Sequence, residues 1–394
     1  MFKTVISAYY CNNYDRDSIF NAVNNAIKSL DSISEIIKPN KTILIKPNLL
    51  SAYSPEQAIT THPEVVRAIV RIVKLAGSKP VVGDSPGNLL NGIEHIWEKT
   101  GMLRMAKEEN VELLNFEKCG SIEVSVQHPT IKQICVTKAL IDCDAIINIP
   151  KLKTHTLMGF SCGVKNFYGT IPGTGKMEYH KLAPSPYDFS YLLSEIYRMV
   201  KEKLLFTLVD GVEGLEGNGP SISGKKRSYN IIAASKDTVA LDTFFLSKFG
   251  FELKNNILIK PLQEKNLGNV NLKNITYVGD DLSKFNFENI KLPVTKRLIN
   301  FLPRKISRFI AKYIGKLVWI APIINDDKCV NCLQCVKHCP ANTIHFVEGV
   351  TVHPVIKRNK CISCFCCHEL CHNKAIDIKR SFFAKFFIKS NEKE

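Results

Sequence analysis

At 394 residues the chain is too long for one small core and suits two to three domains. Its 45% apolar and 23% charged content excludes disorder throughout. The first residues lack a basic stretch followed by an apolar run and a cleavage site. No apolar run reaches the ~18 residues of a spanning helix, so the expected location is cytoplasmic.

In chain order, residues 1–11 read as a first β-strand, Thr42 to Lys46 as a buried strand, and Pro80 to Gly83 as the next. Between them, residues 63–76 repeat apolar positions at helical spacing, with Pro63 in the first turn and Gly77 at the end. Ala145 to Ile149, Leu205 to Val209 and Tyr229 to Ala233 predict further buried strands, and 188–203 and 237–249 predict helices. Short β-branched runs alternating with helices predict an α/β domain with a mostly parallel sheet over residues 1–290.

Each of four strands runs into a polar, turn-forming segment: Lys46-Pro47-Asn48, Gly83-Asp84-Ser85-Pro86-Gly87, Pro150-Lys151-Leu152-Lys153-Thr154-His155 and Asp210-Gly211-Val212-Glu213-Gly214. Open α/β sheets bind ligands beyond the carboxyl ends of their strands, which makes this edge a candidate site. Lys46, Lys151, Lys153 and Lys165, with His62 and His155, supply positive charge for phosphate or carboxylate. Gly83, Gly87, Gly159, Gly163 and Gly169 would admit close approach of backbone amides, and Thr60 and Thr61 precede a helix N-terminus that could add to an anion site. Asp84, Asp210 and Glu213 are candidate acid/base groups or ligands of a divalent metal ion. Taken singly, each has a plain structural reading: Asp-Gly and Pro-Gly are ordinary turn pairs, and Thr61 is a helix cap. Convergence favours a site, as does the long, glycine-rich and apolar segment from Lys151 to Gly173, read as a loop.

These segments, with Thr61-His62-Pro63 and Gly163-Val164-Lys165-Asn166, resemble the family catalogued as domain of unknown function 362, over residues 2–285. The resemblance implies its fold, and a C-terminal two-cluster ferredoxin domain as members often carry, but no established reaction. A fainter similarity, in the helix after Thr-His-Pro and the glycine-rich strand end, is to lactate-racemase-like proteins. Gly217-x-Gly219 follows a turn, and no GxGxxG or Walker motif opens a helix.

Residues 291–324 form a basic connector: seven lysines and arginines between 296 and 320 stand among Leu298, Phe301, Ile306, Phe309, Tyr313 and Trp319, with no acid. The tail, 381–394, repeats the theme. From 296 onward there are 18 basic and 7 acidic residues, so +11 of the formal +16 lies there. Such segments can lie on anionic membranes, but packing against the rest of the chain is the favoured reading. Nucleic acid is not expected, since no binding module accompanies the charge.

Nine of 14 cysteines crowd between 329 and 371. Cys329, Cys332, Cys335 and Cys339 recur 32 residues later as Cys361, Cys364, Cys367 and Cys371, an internal duplication. Three thiolates three residues apart suit one face of a cubane, and the fourth of each run ligates the other cluster in two-cluster ferredoxins. Cys329, Cys332, Cys335 and Cys371 are therefore expected to hold one [4Fe–4S] cluster, and Cys361, Cys364, Cys367 and Cys339 the second, over residues 325–380. Zinc fits this spacing poorly. Cys366 is left as a spare thiol, and His372 replaces the usual proline, loosening the turn or adding a hydrogen bond to sulfur. The block resembles bacterial-type two-cluster ferredoxins, small α+β domains.

Together these features predict an iron–sulfur oxidoreductase that exchanges electrons with a redox partner protein and acts on an anionic small molecule or cofactor at the sheet edge. A non-enzymatic electron carrier and a redox- or ligand-sensing regulator are the alternatives.

Overall fold

The computed structural model describes residues 4–87, 92–173, 175–254, 256–295 and 319–382. The α/β part is built on strands β1 (Thr4–Tyr10), β2 (Thr42–Pro47), β3 (Lys79–Asp84), β4 (Glu112–Asn115), β5 (Ser121–Ser125), β6 (Gln133–Thr137), β7 (Ala145–Ile149), β8 (Lys151–His155), β9 (Gly159–Ser161), β10 (Leu204–Gly217), β11 (Gly224–Ser235) and β12 (Ile275–Gly279). The main sheet runs β12-β1-β11-β10-β7-β2-β3-β4; β8 joins it beside β10, and β9 pairs with β8. Strands β10, β7, β2, β3 and β4 are mutually parallel, as are β1 and β12, whereas β11 runs antiparallel to both of its neighbours. The domain is thus α/β and mostly parallel. Register places Lys46 beside Asn148 and Pro47 beside Ile149, so the carboxyl ends of β2, β3, β7 and β10 reach one edge.

Helices α1 (Arg16–Lys28), α2 (Pro63–Leu75), α3 (Pro186–Val200) and α4 (Thr238–Lys248) flank the sheet, each with buried apolar positions toward it. Helix α3 starts two residues earlier than its pattern predicts, because Ser185 caps it by accepting from Asp188 N and Pro186 fits the first turn. Residues 201–203 form a separate 3-10 turn. The cap of α2 is His62, whose side chain accepts from Glu64 N, and not Thr61. Thr61 Oγ1 instead donates to Ile149 O (2.7 Å) and accepts from Asn48 N (2.9 Å), tying β7 to β2.

A second correction concerns 151–173. The segment is no loop: β8 and β9 form a hairpin, followed by helical turns at Gly163–Asn166 and Phe167–Thr170, nearly all buried. Strand β8 has no alternation because both of its faces are covered.

The C-terminal module is doubled about its two cysteine runs. Strand β13 (Ile320–Ile324) pairs antiparallel with β16 (Ile376–Arg380), and β14 (Ile344–His345) with β15 (Val355–Ile356). Short helices α5 (Gln334–Lys337) and α6 (Cys366–Leu370) carry the third cysteine of each run, Cys335 and Cys367. Asn331, Leu333 and Asn342 take positive φ, and so do Ser363, Phe365 and Lys374, each 32 residues later. Strand β13 belongs to this module, although its residues fall in the stretch assigned to the connector. Residues 291–295 bond to the α/β part through Lys291 N to Glu216 and Val294 N to Asn218. The remainder of the connector (296–318) and most of the tail (383–394) lie outside the described residues.

Candidate functional site

Two cavities lie in the C-terminal module, and the cysteines divide between them. One, of about 380 Å³, is walled by Cys329, Cys332, Cys335 and Cys371; the other, of about 310 Å³, by Cys339, Cys361, Cys364 and Cys367. These are the two predicted sets, each with its fourth cysteine taken from the opposite run. Among the described residues no three His, Cys, Asp or Glu side chains converge as single-ion ligands. Sulfurs spread around a cavity fit a cluster, whereas a zinc site needs them around a point. The backbone adds donors to sulfur, two of them in matching places, Thr343 N to Cys339 Sγ (3.3 Å) and Ala375 N to Cys371 Sγ (3.2 Å), and a third from Ser363 N to Cys361 Sγ (3.4 Å). Such bonds favour the thiolate and tune cluster potential.

At the sheet edge a cleft of about 860 Å³ opens between the two parts of the molecule. Its α/β wall carries Asn48, Asp84, Ser85, His155, Lys165, Tyr168, Lys176 and His180, and its far wall is helix α6, through Cys366, Glu369 and Leu370. Helix α6 thus separates the cleft from the cavity that Cys364 and Cys367 help to wall. The seam is fixed by Ser221 Oγ donating to Glu369 O (3.0 Å), by Phe365 buried in the α/β core, and by the Tyr53 and His372 rings 5.5 Å apart. His372 therefore contributes a contact between the two parts.

The predicted residues fall into two groups. Asp84, His155 and Lys165 line the cleft. Lys46 stands directly behind Asp84, with Nζ 2.6 Å from Oδ1, both buried; Leu49 N and Ser85 N also donate to the carboxylate. Burial lowers the Lys46 pKa and raises that of Asp84, and their pairing opposes both shifts. Lys153 is buried with only neutral partners, Asn48 Oδ1 (2.6 Å) and Ile59 O (2.9 Å), and burial pulls its pKa down to about 7. Lys165 makes no hydrogen bond or ion pair to described residues; its Nζ lies 6.0 Å from the Tyr168 ring.

Lys151, Asp210 and Glu213 do not reach the cleft. Lys151 Nζ pairs with Asp210 Oδ2 at 2.9 Å, and Asp210 also accepts from Tyr14 Oη and His62 N. The N-terminus of α2, expected to hold an anionic ligand, is thus occupied by the chain's own carboxylate. Tyr14 stacks on His62 with ring centroids 3.7 Å apart, and Glu213 pairs with Lys226. All three predicted carboxylates face lysines, so the divalent-metal reading is dropped.

Other cleft residues escape sequence reasoning. Lys176 Nζ donates to Ser85 Oγ (2.5 Å), which donates to Glu117 (2.5 Å); burial lowers Lys176 to about 8. His180 Nδ1 is buried without a hydrogen-bond partner among the described residues, and burial brings its pKa to about 3. His155 Nδ1 accepts from Leu157 N (3.1 Å), so its proton sits on Nε2, which lies 3.6 Å from Glu369 Oε1. Burial raises Glu369 to about 7 against the pull of Lys165 and Lys153.

The family model described as domain of unknown function DUF362 matches residues 43–247, just over half of the chain. The chain belongs to the DUF362 family. A 4Fe-4S dicluster domain matches residues 321–372 of this DUF362 protein, which establishes the iron–sulfur module and, with it, electron transfer as its chemistry. A thylakoid-associated protein of Synechocystis sp. is 30% identical over 307 residues, 77% of this chain and 92% of its own length. The lactate racemase apoprotein of Thermoanaerobacterium thermosaccharolyticum aligns over 60% of the chain at 16% identity and a TM-score of 0.39; the chain spans 55% of that structure. Among the described residues of this DUF362 protein, no helix is long and apolar enough to cross a membrane.

Proposed function

We propose that this DUF362 protein is an oxidoreductase whose cleft binds an anionic small molecule and whose module exchanges electrons with it. One observation carries the reading: a cleft lined by charged and polar side chains is closed on its far side by the helix that borders the second cysteine cavity. When bound, the clusters supply single electrons. The residues around the cleft supply charge and orientation. The lining carries Lys165 and Lys176 against Asp84 and Glu369; Asp84 is already paired with Lys46 behind it, which leaves Lys165 and Lys176 to face an anion. Lys165 is the unpaired cation at the wall and the first contact for a carboxylate or phosphate. Asp84, held by Lys46 and two amides, fixes the floor. His155 Nε2 and Glu369 are the proton-bearing groups nearest the module.

Calorimetry on the cluster-loaded protein, with inorganic phosphate and citrate as probes, tests this reading. Wild type should bind at least one of them, and the electron paramagnetic resonance signal of the reduced protein should shift on binding. Lys165→Glu should abolish both effects at unchanged iron content. No binding of either probe to wild type, or equal binding by the variant, contradicts the reading.

A second reading, contact with an anionic membrane surface, has the thylakoid-associated relative and the basic run 296–320 in its favour. Salt-sensitive sedimentation with anionic vesicles would support it; equal sedimentation with neutral vesicles would not.

A further inference from the structure

Eleven large apolar side chains stand exposed among the described residues, and five are valines between positions 330 and 355: Val330, Val347, Val350, Val352 and Val355. Val350 and Val352 are 77% and 78% exposed. They gather on one part of the C-terminal module. Val330 sits between Cys329 and Cys332, and helps to wall the first cysteine cavity. The turn carrying Val347, Val350 and Val352 is pinned to that loop, since Asn331 Nδ2 donates to Val352 O (2.8 Å) and His353 Nδ1 lies 3.1 Å from Asn331 Oδ1. Thr351 closes the turn by hydrogen bonding to Val347, so the valines are displayed by a braced hairpin.

The two cavities differ in access. Cys364 and Cys367 of the second are buried, Cys367 in the module's own core, whereas Cys332 of the first is exposed. Across residues 326–360, exposed Lys328, Lys337, Lys357, Arg358 and Lys360 outnumber exposed Asp326, Asp327 and Glu348, within a chain of formal charge +16. An apolar patch beside a redox centre, carried on a basic segment of a strongly basic chain, matches a partner whose own centre lies at an apolar face of an acidic protein.

We infer that the valine patch around Cys329 and Cys332 is the docking surface for an acidic one-electron carrier protein. One electron passes from the reduced carrier to the first cluster; no bond is made or broken, and the carrier is left oxidised by one electron. This assignment holds whatever the cleft binds, because none of the five valines lines the cleft.

The test uses full-length, cluster-loaded protein and a reduced flavodoxin, an acidic carrier with an edge-exposed flavin. Wild type should bind flavodoxin by calorimetry, more weakly as salt rises, and should be reduced by it rapidly in stopped flow. Val350→Asp with Val352→Asp should weaken binding and slow reduction about tenfold or more, and Val350→Lys with Val352→Lys should lose less. Reduction by dithionite, iron content and the resonance spectrum should stay as in wild type for both pairs. No measurable wild-type complex, or the Asp pair reacting like wild type, overturns the inference. A wild-type dimer by sedimentation that the Asp pair converts to monomer would assign the patch to a second copy and also overturn it.

Discussion

A methyl group added at Gly169 would lie 2.2 Å from Asp84 Oδ1 and 2.6 Å from Lys46 Nζ, while Gly169 O accepts from Ser85 N. The glycine admits the close approach of the chain to the buried ion pair, where its sequence position had suggested approach to a ligand. Gly169→Ala should destabilise the protein by about 1–3 kcal/mol in urea unfolding, since neither charge has room to retreat; no change would mean the floor of the cleft is soft. Lys153 makes a different prediction. Its folded pKa of about 7 lies below its ordinary 10.5, so between those values the unfolded chain binds a proton that the folded chain does not. Stability is therefore lost as pH falls from about 10.5 to about 7. Lys153→Met should gain stability relative to wild type at pH 7 compared with pH 10, and a pH-independent difference would contradict a neutral-leaning Lys153. Lys46 and Asp84 were legible in the sequence because they sit where strands run into polar turns, and Lys165 because it lies in the glycine-rich segment from Lys151 to Gly173. Lys176 and His180 were not, because they lie on a short helix, Gly175–Leu182, whose spacing carries no motif.

Helix α6 joins the two chemistries at the level of elements. Residues before it enter the α/β core, those inside it wall the cleft, and its neighbours wall the second cysteine cavity. Phe365→Ala should cost about 3–5 kcal/mol by emptying a core position, and should raise hydrogen exchange along both sides of the seam. Exchange confined to the C-terminal module would contradict a shared core. The ranges of α2 and α4 were readable to within two residues because apolar spacing, Pro63 and the acidic cap Asp237 agree. The hairpin β8–β9 was not readable. Its lysines and histidine are polar yet buried, satisfied by partners from β2, β10 and the loop before α2, and such pairing leaves no local trace.

For the whole molecule, the 32-residue repeat made the cysteine pairing legible, because cluster chemistry constrains spacing directly. The seam between the two parts was not, since it depends on contacts such as Ser221 with Glu369 that lie 148 residues apart. That seam goes with the chain's arrangement: one cysteine cavity with Cys332 exposed, another walled by the buried Cys364 and Cys367, and beyond it a cleft lined by Lys165 and Lys176. The most direct test is a crystal structure of the anaerobically purified protein with anomalous scattering measured at the iron edge. It should contain two four-iron clusters, one on Cys329, Cys332, Cys335 and Cys371 and one on Cys339, Cys361, Cys364 and Cys367, with an anionic molecule against Lys165 in the cleft. Zinc on the cysteines, or a cleft holding only water in protein soaked with phosphate and citrate, would contradict it.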